Sequence, residues 1–265
     1  MMDSIAMRSH PMVPANGYGK GTPKNWSDIS IVTLDPHHWC LSEDVKAAAR
    51  RLGLDSYDKL KGLARKVVGP VDLMTDEFLN EHKDDVLKLI KNDFSGLLDN
   101  YIKGLQTPKD ASLAELITFN EEHREVELPT GYDRQDNLEE SEASANLLSP
   151  EQWHRINDKV TPAGREHGFD RVLREHEVGI ILAPADSFVP DVSSFSCKTT
   201  KITDVCLQAH FNSDYPFITL PLVYLNWNGR PFGLLAIAPQ FQEDLLIDVA
   251  RAWQAHFPPR QPPLL

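Results

Sequence analysis

The stretch DYPFITLPLVYLNWNGRPFGLLAIAP, residues 214–239, constrains the fold more than any other part of the chain. It contains two apolar runs, with no charged residue inside either. Phe217 to Leu225 and Phe232 to Ile237 read as β-strands. Between them, Asn228-Gly229 is a hairpin dipeptide, because both central positions tolerate positive φ. Strands this free of charge are expected to be buried on both faces, which requires helices to cover them. The expectation is α/β: a mixed β-sheet covered by helices on both faces.

The helices are legible by period and by caps. DDVLKLIKNDFSGLLDNYIKG places Val86, Ile90, Phe94, Leu97 or Leu98, and Tyr101 three or four residues apart, predicting one buried face, with Gly104 as terminator. Ser112 with Glu115, and Ser149-Pro150 with Gln152, form capping boxes in which side chains satisfy free first-turn amides. The second of these helices is expected to bury Trp153, Ile156 and Val160 and to kink or end at Pro162. In QFQEDLLIDVARAWQAHF, Phe241, Leu245, Val249 and Trp253 step by four along another amphipathic helix. The segment from Glu43 to Ala64 is helix-forming, with a break expected near Gly53. Further strands are expected over Ile29 to Leu34, Val67 to Val71 and Val178 to Ala183. Residues 129–146 read as a polar surface excursion with a short helix.

The ends differ from this middle. Residues 1–25 read as a flexible leader, 26–258 as the α/β domain, and 259–265 as a proline-rich tail. Net charge is −12, from 27 Lys and Arg against 39 Asp and Glu. That balance argues against a nucleic-acid groove and against anionic lipid, both of which select clustered cations. Three cysteines, Cys40, Cys197 and Cys206, form no disulfide framework and suggest a reduced, cytoplasmic setting. No secretory h-region is evident, and no apolar run approaches the ~20 residues of a membrane span.

Chemistry-bearing motifs are sparse. Asp35, His37, His38 and Cys40 crowd into DPHHWC, but adjacent histidines on an extended chain do not converge on one ion, so no metal site is expected. GYGKGT lacks the strand and helix that a phosphate loop needs. Ser196 and Lys198 invite a nucleophile–base reading, yet the Ser-x-x-Lys spacing would require serine at Phe195. Glu121-Glu122-His123 and Glu175-His176-Glu177 have the character of solvated charge. The residues themselves assign no catalytic group and leave the substrate-binding residues unknown.

Three segments in series carry a resemblance. SLAELITFNEEHREVELP, GFDRVLREHEVGIILAPADS and YPFITLPLVYLNWNGRPFGLLAIAPQFQEDLLIDVARAWQ resemble, in order and spacing, the C-terminal portion of the amidase signature enzymes. The resemblance covers roughly residues 25–258. It implies the C-terminal part of the amidase signature fold, and amide C–N hydrolysis by a Ser–Ser–Lys triad in the complete protein. It implies no metal or organic cofactor, and a small-molecule amide substrate. The family's catalytic residues sit in a Gly/Ser-rich segment preceding the region matched. No such run occurs here: Ser193-Ser194 has no glycine neighbours. None of the family's catalytic residues is therefore carried over. Two expectations follow: part of an amide hydrolase whose triad lies elsewhere, or an amidase-derived pseudoenzyme that acts as an interaction module. Pro184 and Asp186, at the end of a buried strand, could face a pocket. The hairpin, deprived of its family partner, is expected to leave an open sheet edge suited to self-association.

Overall fold

A computed structural model describes residues 18, 24–35, 53–73, 76–105, 112–184, 215–224 and 231–261. In chain order the elements are β1 (Ser30–Leu34), α1 (53–61), β2 (Lys66–Val71), α2 (Asp76–Lys103), α3 (Leu113–Glu122), α4 (Arg124–Glu127), α5 (Asp136–Ala143), α6 (Pro150–Gly164), α7 (Asp170–His176), β3 (Ile180–Pro184), β4 (Phe217–Tyr224), β5 (Pro231–Ile237) and α8 (Glu243–His256). They form two compact units. One holds Met1–Asp76 with Pro162–Leu265, and the other holds Glu77–Thr161.

The first unit is built on a five-stranded mixed sheet of order β2-β1-β3-β5-β4. β1 pairs in parallel with β2 and β3, whereas β5 runs antiparallel to β3 and β4. Ile31, Ile180, Leu182, Leu220, Leu234 and Ala236 share one core with Tyr57 and Leu60 of α1 and with Leu246, Val249 and Trp253 of α8. The alternate residues Val32, Ile181, Ala183, Leu235 and Ile237 are buried as well. α7 lies beside β1 and buries Val172 and Leu173. Burial on both faces explains the unbroken apolar sequence of β3 and β5. Trp26 closes the core: its indole N–H donates to the carbonyl of Ala252 at 3.0 Å, and its ring meets Trp253 edge-on at 6.4 Å.

β4 is less buried than expected. Both hairpin strands are expected to be buried, but among the described residues β4 is the outer strand, in keeping with the expected sheet edge, and Phe217 remains 42% exposed. Its register breaks between Pro221 and Val223. Proline has no N–H for a ladder, so Pro221 belongs at an edge. The carbonyl of Pro221 accepts the indole N–H of Trp253 at 2.7 Å instead. The other edge, β2, also contains a proline, Pro70, and its register with β1 slips between Val32 and Leu34. The turn at Asn228-Gly229 lies outside the described residues.

One smaller expectation also changes. The segment before Gly53, where a break is expected, lies outside the described residues. Phe241 precedes α8 at φ 62° and is 43% exposed, so the buried face of the helix starts with Leu246.

The second unit is helical. Val86, Leu89 and Val160 form its small core, with Ile90, Leu148, Trp153 and Ile156 packed against them. Both capping boxes are present. The hydroxyl of Ser112 accepts from Glu115 N while Glu115 accepts from Ser112 N at 2.8 Å, and Ser149 and Gln152 reciprocate in the same way. α2 ends at Gly104, as its sequence indicates. Its expected face is kept through the half-buried Phe94 and Leu98, but Leu97 and Tyr101 are exposed. Asn92, Ser95 and Asp99 take the inward positions: they bind Leu148 N, Glu142 and Leu113 N respectively. Loop amides and a carboxylate that need partners outcompete the apolar stripe for that face. α6 does not end at Pro162. It runs on to Gly164 and widens into a π turn over Arg165–Phe169 before α7.

Candidate functional site

Sheet topology points to one place for a ligand. The chain leaves β1 for β2 on one side and later returns as β3 on the other, so strand order reverses at β1. In open α/β sheets a crevice forms at such a switch point, beyond the carboxyl ends of the strands. In this sheet the carboxyl ends on either side of the switch point are Leu34 of β1 and Pro184 of β3. The described groups at the β1 end are Asp35 and the buried Tyr57 of α1, whose hydroxyl donates to the carbonyl of Leu34 at 3.4 Å. Thr33, also buried, donates to the carbonyl of Val68 at 3.4 Å.

Tyr57 is a donor there and not a base. Burial pushes its phenol well above the ordinary tyrosine range, and the nearby Asp35 charge adds to the effect. A phenolate beside a carboxylate in an apolar setting is doubly disfavoured. The hydroxyl therefore stays protonated and holds the end of β1 against α1.

Of the residues singled out in the sequence, the structure places Asp35 and the end of β3 at this switch point. His37, His38, Cys40, Asp186, Ser193, Ser194, Ser196, Cys197, Lys198 and Cys206 lie outside the described residues. Among the described residues no group of three His, Cys, Asp or Glu side chains could hold a metal ion. The two acidic–histidine runs are surface structure. Glu121 pairs with Arg124 at 2.5 Å and accepts from Gln135, while His123 stacks on Phe119 at 4.1 Å. Glu175 pairs with Arg171 at 2.8 Å, the carbonyl of His176 accepts from Lys66, and Glu177 terminates α7 in the left-handed region at φ 51°. Neither run places a histidine and a carboxylate together as a dyad.

A second polar cluster, at the opposite end of β3, was not foreseen. The Tyr215 hydroxyl donates to Asp170, Arg165 lies 3.9 Å from the same carboxylate, and Arg165 also donates to Gln240 at 2.9 Å. Burial raises the Tyr215 phenol, and the hydrogen bond to Asp170 reinforces this. Like Tyr57, Tyr215 stays protonated and is no base. The cluster ties the π turn to the sheet. Its members are 45 and 75 residues apart in pairs, so no local pattern announces it.

No protein-family model matches the chain, and no curated protein matches it by sequence. Solved structures do match. PAM12A aligns with a TM-score of 0.65 at 22% identity, over 89% of this chain and 45% of its own. The peptide amidase of Stenotrophomonas maltophilia aligns with a TM-score of 0.62 at 23% identity, over 90% and 45%. A bacterial aryl acylamidase of the amidase signature enzymes aligns with a TM-score of 0.52 at 15% identity, over 87% and 44%. The chain therefore has the amidase signature fold in part, and it spans under half the length of the proteins it matches. Among the described residues no helix is long and apolar enough to cross a membrane.

Proposed function

We propose that this chain is the C-terminal portion of an amide C–N hydrolase. In this reading the complete protein works by a Ser–Ser–Lys mechanism. The present residues supply half of the sheet, its helical cover and one wall of the substrate crevice, beyond Leu34 and Pro184. The observation that carries it is the fold likeness over 90% of this chain to 45% of a peptide amidase. The substrate is then a small-molecule amide. The catalytic serines and lysine lie outside these 265 residues, because no Gly/Ser-rich run accompanies Ser193-Ser194.

One observation favours a second reading, a non-catalytic amidase-derived module. Among the described residues both outer strands carry a proline and a register break, Pro221 in β4 and Pro70 in β2. Prolines and bulges are devices that terminate a sheet. They suit a sheet that stands without further strands.

The test is turnover of a panel of peptide amides and anilides by the 265-residue chain, with Ser196→Ala as companion. Both readings expect no hydrolysis above background from either protein. Hydrolysis that disappears in Ser196→Ala would overturn them, and would place a nucleophile within the chain.

A further inference from the structure

Exposed apolar surface is concentrated in the helical unit. Of the large apolar side chains exposed among the described residues, three lie in the sheet unit and nine in the helical one. Charge is concentrated there too. Residues 77–161 hold 19 Asp and Glu against 9 Lys and Arg, so this unit carries −10 of the −12 of the whole chain. An acidic surface with apolar patches is the counterpart of a basic amphipathic partner.

Both properties meet on α3 and α4. Leu116 and Phe119 are three residues apart on α3, His123 stacks on Phe119 at 4.1 Å, and Val126 follows within α4. Phe119 and Val126 are 47% and 76% exposed. Steps of three, four and three residues make a stripe of the kind that a second helix fills. The rest of α3 is held in place. Leu113 is fully buried and its N–H donates to Asp99 at 3.0 Å. Gln135 accepts from Asn120 at 3.0 Å and donates to the carbonyl of Ile117 at 3.2 Å. The stripe is therefore presented on a fixed backbone.

The local charge remains negative after pairing. Residues 112–127 contain Glu115, Glu121, Glu122, Glu125 and Glu127 against the single cation Arg124. Arg124 is occupied by Glu121 at 2.5 Å and by the carbonyl of Asp133 at 3.2 Å. Among the described residues no ion pair neutralises the other four carboxylates. A second copy of this chain would bring like charge to the stripe, and a neutral helix would leave the carboxylates unanswered.

We infer that this stripe is a docking surface for a basic amphipathic helix of a partner protein. The apolar side of that helix lies on Leu116, Phe119 and Val126, and its Lys or Arg residues lie among the neighbouring carboxylates. The surface uses no residue of the sheet unit, so it stands apart from the amide-hydrolase reading.

The test is a titration of the full chain into a fluorescein-labelled amphipathic helix of leucine and lysine, about 15 residues long, read by anisotropy. A peptide with glutamate at every lysine position is the control. Saturable one-to-one binding is expected, with a dissociation constant of about 1–50 μM at low salt. It should weaken severalfold at high salt. Phe119→Glu, at an exposed position, should weaken the lysine peptide by about tenfold or more. Glu122→Gln with Glu125→Gln should weaken it about three- to tenfold, with thermal melting as the check on folding. Leu97→Glu, at a comparably exposed position on α2, should leave the affinity unchanged. The inference is overturned if binding is not saturable, or if the glutamate peptide binds as tightly. It is equally overturned if the paired Glu→Gln variant keeps full affinity, or if Leu97→Glu weakens binding as much as Phe119→Glu. A concentration-dependent dimer that Phe119→Glu abolishes would also overturn it, by assigning the stripe to a second copy.

Discussion

The two units solve the same problem, cohesion, by different chemistry. The sheet unit is dry: both faces of β1, β3 and β5 are buried, and three aromatic rings, Trp26, Trp253 and Phe257, pack about α8. The helical unit has a small core around Val86, Leu89 and Val160 and is tied further by side-chain hydrogen bonds. Asn92, Ser95 and Asp99 hold the loops that a larger core would hold by packing. Apolar cohesion is non-directional and tolerates polar change poorly, whereas clasps are directional and fail singly.

That contrast predicts a ranking. The largest effect is expected from Leu234→Ala in β5, which empties a fully buried position and should lower unfolding free energy by about 3 kcal/mol. Leu97→Ala on α2, at a 67% exposed position, should change it by less than about 0.5 kcal/mol. Denaturant titration of the two would break the comparison if their effects were equal. Next comes a pair of glycines. An added Cβ at Gly233 would sit 2.6 Å from the carbonyl oxygen of Leu220, so Gly233→Ala should destabilise by about 2 kcal/mol. The same change at Gly96 meets nothing within 4 Å and should stabilise α2 by about 0.5–1 kcal/mol. Opposite shifts in melting temperature are the expected result.

Asn92→Ala sharpens the comparison from the other side. It removes the acceptor for Leu148 N and should weaken the helical unit by about 1–2 kcal/mol, although it deletes almost no apolar surface. Amide exchange should rise in the 146–148 loop and α2 and stay unchanged in β3 and β5. The smallest effect is a pH dependence. Burial raises the Asp85 carboxyl, but hydrogen bonds and charge from Lys159 and Lys88 outweigh it and hold the group below its ordinary value. A folded pKa below the unfolded one stabilises above about pH 4 and is lost as pH falls through the folded value. The stability difference between the native chain and Asp85→Asn should therefore shrink between about pH 5 and pH 3. A constant difference across that range would contradict the assignment.

Much of the fold is legible locally. Capping boxes at Ser112 and Ser149 are short-range chemistry, and β3 and β5 are readable as continuous apolar runs. Where reading fails, the missing information is non-local. β4 and β5 are similarly apolar, yet sheet order puts one at an edge and the other inside. Pro221 was the available signal, since a proline in mid-strand belongs at an edge. Tyr101 follows a helical period but is exposed, and of Leu97 and Leu98 only Leu98 is half-buried, because polar residues whose partners lie 14 to 56 residues away share the inward face. Of the candidate site, Asp35 and the end of β3 are legible as strand exits. The Arg165–Asp170–Tyr215–Gln240 cluster is not, because it is assembled from a π turn and two distant loops.

The central claim is that this chain is part of an amide hydrolase whose catalytic groups lie beyond it. The most direct measurement is the intact mass of the endogenous protein, captured with an antibody against residues 240–258, together with its amide turnover. The account predicts a species far heavier than 29.9 kDa that hydrolyses amides. An inactive species at 29.9 kDa would contradict it and leave the amidase-derived module as the reading that stands.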